Sequence, residues 1–272
     1  MHELEAARHL RRMENVLILT HVRPDGDTVG CAAALCLALR KLGKTAYLLP
    51  NPGVTENTAP YVTPYEAPLD FQPEYVVSVD IATTQLLPEN ARMYASQIEL
   101  AIDHHPSFEH FGQQNIVRPE AGACGELVYD ILRHLTAIDA GIALPLYVAI
   151  ATDTGGFQFS NTTAYTHIVA AALMETGIDY QTVNKVFFRT KTRKRLALET
   201  DMLTNLEYFD RERVAFLYVP RSLMERLRAT ESDAEELSSL GAQIQGVDCA
   251  VTFRELGEEE WKLSVRTGER VN

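Results

Sequence analysis

Three short apolar runs, each followed closely by histidine or aspartate, constrain the fold of this sequence most. The runs are Val16 to Leu19, Tyr75 to Val79 and Ile98 to Ile102. The polar residues after them are, in the same order, His21 to Asp27, Asp80 and Asp103-His104-His105. In an open parallel sheet, ligands bind beyond the carboxyl ends of the strands, so clusters leaving separate strands should converge. Imidazoles and carboxylates gathered in one place predict a metal site.

Helical patterns separate these runs and indicate the fold class. Residues Thr28 to Leu42 predict a helix that Asp27 or Thr28 caps and Gly43 ends, and Ala46 to Leu49 predicts another strand. Gly125 to Leu135 has apolar residues at helical spacing. Leu144 to Ala151 is too short to assign by periodicity, and we favour a helix that delivers Asp153. Alternating strands and helices predict an α/β fold, a parallel sheet with helices on both faces.

The length of 272 residues indicates two domains. We predict a catalytic metal-binding domain over 1–183, a helical connector over 184–209 with a basic stretch, and a smaller α/β domain over 210–272. Ala164 to Met174 is expected to be a helix of the first domain. The expected strands of the second domain are Val214 to Val219, Cys249 to Arg254 and Trp261 to Arg266.

Composition excludes several classes of protein. The net charge of −12 disfavours a long duplex nucleic acid as partner, because duplex binding relies on Lys and Arg that neutralise phosphates. No apolar run reaches the roughly 18 residues of a membrane span, and the first residues do not resemble a signal peptide, so we expect a cytoplasmic protein. The oligomeric state stays open, with a homodimer among the expected states. The cysteines lack CxxC spacing and are expected to be buried thiols: Cys31, Cys36, Cys124 and Cys249.

Six residues form the candidate metal-ligand set: His21, Asp25, Asp27, Asp80, His104 and Asp153. Taken singly they have ordinary explanations, with Asp27 as a helix cap, His21 as a surface residue and Asp80 as a turn residue. Together they supply two imidazoles and four carboxylates, enough for two divalent ions if one carboxylate bridges. The four negative charges would then balance the ions.

The ligand types also indicate the chemistry. Mixed nitrogen and oxygen ligands suit Mn²⁺, with Fe²⁺, Co²⁺ or Zn²⁺ as alternatives, and fit a purely oxygen-liganded Mg²⁺ site less well. Two such ions can stabilise both the attacking and the leaving oxygen of a displacement at phosphorus. The sequence therefore predicts phosphoester hydrolysis.

Four motifs in this chain resemble those of the DHH phosphoesterase family. They are His21-x-x-Pro24-Asp25-x-Asp27, Asp80, Asp103-His104-His105 and Asp153-Thr154-Gly155. The rest of the chain, including Ser264-Val265-Arg266, is similar to the bacterial oligoribonuclease/pAp-phosphatase (nanoRNase) subfamily, which carries a DHHA1 domain. The resemblance extends over nearly all of the sequence.

This resemblance implies a role for each motif residue. His21, Asp25 and Asp80 would surround one ion, and the other would be held by Asp27, Asp80, His104 and Asp153, with Asp80 as the bridge. His105 would face the scissile phosphate. Asp103 would lie behind the ligands and fix the tautomer of an imidazole.

The expected substrate contacts are two arginines. Arg23, inside the first motif, and Arg266, on a late strand, could each hold a phosphate as a planar fork. The alternative for both is a surface arginine in a salt bridge, and only the resemblance favours Arg266. The resemblance also implies a glycine-rich segment ending in histidine beyond Arg266. Thr267 to Asn272 contains none, so we expect the small domain to be incomplete at its C-terminus.

Other candidate contacts have simpler explanations. The basic stretch of the connector and Phe157 and Phe159 could touch a nucleotide, but a solvated helix face and core packing are the default interpretations. The remaining histidines are expected at the surface: His2, His9, His110, His134 and His167.

The leading functional hypothesis is a Mn²⁺-dependent phosphoesterase. It would hydrolyse very short RNA to mononucleotides and remove the 3′-phosphate of pAp. One alternative is a cyclic or linear dinucleotide phosphodiesterase of the same family, and another is a nucleotide-binding module with impaired catalysis. A pyrophosphatase is disfavoured because its second domain should have a different pattern.

Overall fold

A computed structural model describes residues 1–234 and 237–268 of the chain. The chain divides into two compact units, Met1–Arg189 and Thr190–Asn272. This division falls inside the predicted connector, and that segment is not one helix. After Asn184, the last residue of a short helix, it contains a π-helical turn at Lys185–Arg189, one helix at Arg193–Thr204 and a strand at Glu207–Phe209. Within the described ranges, every helix is too short or too polar to cross a membrane.

The first unit is built on a five-stranded parallel sheet in the order β2-β1-β3-β4-β5. Its strands are β1 (Val16–Leu19), β2 (Ala46–Leu48), β3 (Tyr75–Val79), β4 (Ile98–Asp103) and β5 (Gln114–Val117). The parallel sheet that the sequence predicts is confirmed. Strands β1, β3 and β4 have nearly every residue buried, because a covered parallel sheet leaves neither face to solvent. Strand β5 is not predicted from the sequence, because only Ile116 of its four residues is fully buried.

Helices cover one face of this sheet, and 3₁₀ segments with loops cover much of the other. The helices of the unit are α1 (Glu3–Leu10), α2 (Gly26–Lys41), α3 (Ala59–Val62), α4 (Cys124–Leu135), α5 (Ala140–Asp153), α6 (Ala164–Met174) and α7 (Tyr180–Asn184). The main core joins Ile18, Val77 and Leu100 to α2, α4 and α5. On the opposite face, Leu17 and Val76 pack with residues of the loops and of the 3₁₀ segment Glu89–Gln97.

Helix α2 begins earlier than predicted, and its cap is Asp25. The Asp25 side chain accepts hydrogen bonds from the amides of Asp27 (3.0 Å) and Thr28 (3.2 Å), so neither predicted residue is the cap. The ambiguous segment Leu144 to Ala151 lies inside α5, as favoured.

Glycine brings α2 and α5 into close approach. A Cβ atom at Gly30 would lie 2.2 Å from the carbonyl oxygen of Pro145 and 2.8 Å from the backbone nitrogen of Ala149. Close packing fixes the first turns of α2 against the middle of α5. Cys31, Cys36 and Cys124 are free and buried in this unit, as predicted.

The second unit contains a mixed four-stranded sheet in the order β6-β7-β8-β9. Its elements are α8 (Arg193–Thr204), β6 (Glu207–Phe209), β7 (Val214–Val219), α9 (Arg221–Leu227), β8 (Cys249–Gly257) and β9 (Glu260–Thr267). Strands β7 and β8 are parallel, and the other two pairs are antiparallel. Residues Leu198 and Met202 of α8 pack on Leu217 and Ala250 of one sheet face. The predicted strands of this domain are present, and residues 269–272 lie outside the described part.

Candidate metal centre

The carboxyl ends of neighbouring strands deliver the predicted cluster. His21 follows β1, Asp80 directly follows β3, and Asp103 is the last residue of β4. The chain continues from β1 to β2 on one side and later enters β3 on the other, so β1 and β3 flank the point where the strand order reverses. Such a point is the usual ligand crevice of an open α/β sheet.

Two helix ends complete the cluster and create its first group of side chains. Asp25 and Asp27 lie at the start of α2, and Asp153 is the last residue of α5. His21 Nε2 lies 3.5 Å from Asp25 Oδ1 and 3.9 Å from Asp80 Oδ2. The ligand atoms of these three side chains all lie within 4.8 Å of one another.

A second group forms around His104. Its Nε2 atom lies 3.8 Å from Asp27 Oδ2 and 3.6 Å from Asp153 Oδ2, and ligand atoms of the three residues again lie within 4.8 Å of one another. The same Nε2 atom is 3.6 Å from Asp80 Oδ1. Asp80 therefore has one oxygen near each group. The structure thus brings together the residues that the family resemblance assigns to each ion, and their roles as ligands stay a prediction.

Electrostatics at the cluster favour a bound cation. Asp27 and Asp80 are 1% and 3% exposed, and Asp80 adopts a left-handed backbone conformation with φ of 57°. Burial raises the pKa of both carboxyl groups well above the usual value, and the charges of neighbouring carboxylates raise them further. Asp80 Oδ1 is buried and has no hydrogen-bond partner among the described residues. Divalent ions would compensate these charges, so the donor set fits a two-ion site.

Asp27 is held in place by the start of helix α4. Its Oδ2 accepts a hydrogen bond from the amide of Cys124 (2.6 Å), and its Oδ1 accepts one from the amide of Gly125 (2.9 Å). These amides belong to the first turn of α4, where backbone N–H groups lack partners within the helix and favour negative charge. The carboxylate is therefore fixed before any ion binds.

The two adjacent histidines are oriented by different acceptors. His104 Nδ1 lies 3.1 Å from the carbonyl oxygen of Ala121. Because a carbonyl can only accept, Nδ1 carries the proton and Nε2 is free to bind an ion. The Nδ1 atom of His105 lies 2.7 Å from Asp103 Oδ1, and this hydrogen bond raises the pKa of His105. The structure thus places Asp103 against the imidazole of His105, while the same oxygen accepts a hydrogen bond from the main-chain amide of His104 (2.6 Å).

Sequence reasoning missed residues that support the ligands. Asn51 donates to Thr20 Oγ1 (2.9 Å) and to the carbonyl oxygen of His21 (2.8 Å), so it ties the end of β2 to the turn after β1. The turn signal Asn51-Pro52-Gly53 could have drawn attention to it. Ala121 acts through its main chain, which gives no signal in the sequence.

The other candidates occupy exposed or half-buried positions. Arg23 is exposed in the turn between His21 and Asp25, and Arg266 is exposed on β9 of the second unit. Lys191 and Arg195 form ion pairs with Glu199, in keeping with a structural role for the basic stretch. The remaining candidates in loops and helices lie exposed or half-buried: Phe157, Phe159, His2, His9, His110, His134 and His167.

Comparison with known proteins identifies the family. The model of the DHH family, N-terminal domain, matches residues 15–150, which is half of the chain. The chain belongs to the DHH family. The matched region includes all five strands of the first unit and every candidate ligand except Asp153.

Curated relatives agree with the subfamily resemblance. The bifunctional oligoribonuclease and PAP phosphatase NrnA of Thermus thermophilus is 29% identical over 258 residues, covering 93% of this chain and 76% of that protein. Proteins of Bacillus subtilis and Streptococcus mutans, the latter marked as probable, carry the same name. The Bacillus subtilis protein is 24% identical, and the match covers 96% of this chain and 83% of that protein. The Streptococcus mutans protein is 23% identical, and the match covers 96% of this chain and 84% of that protein.

Solved structures show the same fold. An exopolyphosphatase-related protein from Bacteroides fragilis has a TM-score of 0.86 at 21% identity, covering 98% of this chain and 83% of that one. A candidate family II inorganic pyrophosphatase from Methanococcus jannaschii has a TM-score of 0.52 at 17% identity, with coverage of 94% and 88%. The expected α/β fold with a second, smaller sheet is confirmed.

Proposed function

We propose that this chain is a Mn²⁺-dependent phosphoesterase that hydrolyses very short RNA oligonucleotides and the 3′-phosphate of pAp. The observation that carries the proposal is the position of Asp80, whose two oxygens face the His21 group and the His104 group separately. Relatives over most of the chain are named for these two activities. The proposed metal ligands are His21, Asp25, Asp27, Asp80, His104 and Asp153.

The residues of the chain would divide the work. Divalent ions in this site would lower the pKa of water and offset negative charge on the phosphoryl oxygens. The Asp103 carboxylate holds His105 by Nδ1, which leaves Nε2 as the atom that meets substrate. Because its pKa is raised, His105 retains a proton nearer neutral pH and can donate it to the leaving oxygen. Arg23 and Arg266 are the proposed phosphate contacts.

Substitution of His105 tests this division. We expect His105→Asn to lower kcat by roughly 10²- to 10⁴-fold, the usual contribution of a general acid, while Mn²⁺ affinity stays within about threefold. Steady-state kinetics and calorimetric titration of metal-stripped protein measure the two quantities. His134→Asn, on the exposed end of α4, is the matched control. A large fall in Mn²⁺ affinity would instead make His105 a ligand, as its 3.5 Å approach to Asp80 Oδ1 allows.

Substrate choice is tested by assaying pAp, RNA of two to five nucleotides and a cyclic dinucleotide side by side with Mn²⁺. We expect release of phosphate from pAp and of mononucleotides from RNA. Exclusive turnover of the cyclic substrate would favour the dinucleotide phosphodiesterase alternative. Tight nucleotide binding without any turnover would make the chain a binding module and overturn the proposal.

Four further expectations belong to this proposal. The working location is the cytoplasm, to be checked by fractionation of cells that express the protein. The binding partners are short RNA and small nucleotides, with no long duplex and no membrane. The oligomeric state stays open, with a homodimer among the expected states, and light scattering measures it. The division of labour follows the predicted domains, with metal chemistry in 1–183 and substrate contacts added by 210–272.

A further inference from the structure

Asn161, which lies in the loop between α5 and α6, contacts the main chain and a carboxylate at the edge of the cluster. Its side-chain nitrogen Nδ2 lies 2.8 Å from the carbonyl oxygen of Gly122. The same nitrogen lies 3.1 Å from the carbonyl oxygen of Asp153 and 3.4 Å from Asp153 Oδ2. One amide group therefore joins the loop before α4 to the end of α5.

All three neighbours of this nitrogen are acceptors, so only a hydrogen-bond donor fits the position. A flipped amide would bring the Asn161 oxygen against three other oxygens. In the observed orientation, Asn161 Oδ1 is buried and has no hydrogen-bond partner within the described ranges. An unpaired buried carbonyl costs free energy. The Asn161 side chain thus supplies a donor to the acceptors around it, while its own carbonyl oxygen lacks a donor.

Asn161 joins two segments, and each of them sets the position of one ligand atom in the group around His104. Gly122 directly follows Ala121, whose carbonyl oxygen holds His104 Nδ1 at 3.1 Å. Asp153 Oδ2 lies 3.6 Å from His104 Nε2 on the other side of the ring. The packing is close, because a Cβ atom at Gly122 would lie 2.9 Å from the carbonyl oxygen of Asn161. A shift of Asn161 would therefore move the acceptor behind the imidazole and the carboxylate in front of it.

We propose that Asn161 is a positioning residue, which holds His104 Nε2 and Asp153 Oδ2 in the arrangement that binds one divalent ion. This inference rests on the proposed function, because it assumes that both atoms are ligands. Groups that orient metal ligands from behind commonly affect affinity by 10- to 100-fold when removed. The role of Asn161 depends on its N–H groups and not on its volume.

The test compares Asn161→Ala and Asn161→Asp with the wild-type chain. Aspartate has nearly the size of asparagine but presents only acceptors when ionised. Asn184→Ala is the matched control, because the Asn184 amide bonds to Tyr147 in the same unit, away from the cluster. For each protein, Mn²⁺ affinity is measured by calorimetry on metal-stripped, folded material, together with the thermal midpoint without metal and kcat and KM for pAp.

We expect Asn161→Ala to weaken one Mn²⁺ site by about tenfold or more and to lower kcat more than it raises KM. Asn161→Asp should weaken the site at least as much, although it keeps the volume. Asn184→Ala should leave Mn²⁺ affinity unchanged. If either Asn161 variant lowers the thermal midpoint, the affinity measured on folded protein at a lower temperature still decides the question.

Two outcomes would overturn the inference. If Asn161→Asp binds Mn²⁺ as tightly as the wild type, or if Asn161→Ala changes only the thermal midpoint, the residue has a packing role. In both cases the wild type still binds and uses Mn²⁺, so the proposed function stands. If the wild type itself binds no divalent ion, the proposed function fails and the inference fails with it.

Discussion

Asp80→Asn should lower metal-dependent hydrolysis by at least about a thousandfold, which corresponds to about 4 kcal/mol of transition-state stabilisation. Asp80 is the one side chain that we propose as a ligand of both ions. Its two oxygens lie 3.9 Å from His21 Nε2 and 3.6 Å from His104 Nε2. An asparagine offers one neutral oxygen instead of two anionic ones. Turnover of pAp at saturating Mn²⁺ measures the loss, and calorimetry should show that at least one ion is no longer bound.

The same change should leave the metal-free protein as stable as the wild type or more stable. Asp80 is 3% exposed, and burial together with nearby carboxylates raises its pKa well above the usual range. The pKa of Asp80 is higher in the folded protein than in the unfolded chain. The wild type therefore loses stability as the pH rises from the unfolded-state pKa through the folded-state pKa. Asparagine carries no charge, so the difference in unfolding free energy between variant and wild type should shrink as pH falls.

The control for this experiment is Asp70→Asn, an exposed aspartate of the same unit. It should change neither turnover nor the pH dependence of unfolding, because surface substitutions usually have small effects. Undiminished hydrolysis by purified Asp80→Asn would contradict the two-ion assignment. A variant that is inactive and also much less stable without metal would show that Asp80 has a structural role instead.

Gly30→Ala should destabilise the first unit by about 3 kcal/mol, near the upper end for overpacked cores. The new Cβ atom would lie 2.2 Å from the carbonyl oxygen of Pro145 and 2.8 Å from the nitrogen of Ala149. Both atoms belong to the backbone of α5, so the two helices must separate. Chemical denaturation of metal-stripped protein measures this loss. Mn²⁺ affinity should also fall, because α2 carries Asp25 and Asp27 and α5 carries Asp153.

Gly141→Ala is the matched control, since it places the same methyl group on the first turn of α5. The nearest atom to its Cβ is Asp139 Oδ1, a side-chain atom 3.3 Å away. Alanine favours a helix over glycine by up to about 1 kcal/mol, so this variant should be neutral or slightly stabilised. Equal stability of Gly30→Ala and Gly141→Ala would mean that the approach of α2 to α5 is not tight.

The parts of the fold that could be predicted are those with a strong local pattern. Strands β1, β3 and β4 are continuous apolar runs that end in polar residues, and this is what a fully covered parallel strand requires. Strand β5 has the sequence Gln-Asn-Ile-Val at the sheet edge, so its pairing depends on β4 rather than on its own pattern. The start of α2 was misplaced because Asp25, Asp27 and Thr28 are all good capping residues.

The candidate site likewise contains residues that the sequence predicts and contacts that it does not. Its six proposed ligands were found from sequence because each has a chemically distinctive side chain within a spaced motif. The supporting contacts could not be found, because they join residues that are distant along the chain. Asn161 meets Gly122 across 39 positions, and the Asn51 amide reaches the carbonyl oxygen of His21 across 30. The partner of Asp103 also needed coordinates, since either adjacent histidine satisfied the motif.

The hydrogen bond from His104 to the carbonyl oxygen of Ala121 has a consequence for mutational scanning of this enzyme class. Every residue at position 121 carries a main-chain carbonyl oxygen, so replacing the side chain would leave the contact intact, and only proline would also lose the amide hydrogen bond to the carbonyl oxygen of Arg118. A scan of side-chain substitutions at position 121 would therefore report only how well each new side chain packs in place of the buried methyl group. Ester substitution of that peptide bond, which makes the carbonyl a weaker acceptor, would detect the contact that such a scan overlooks.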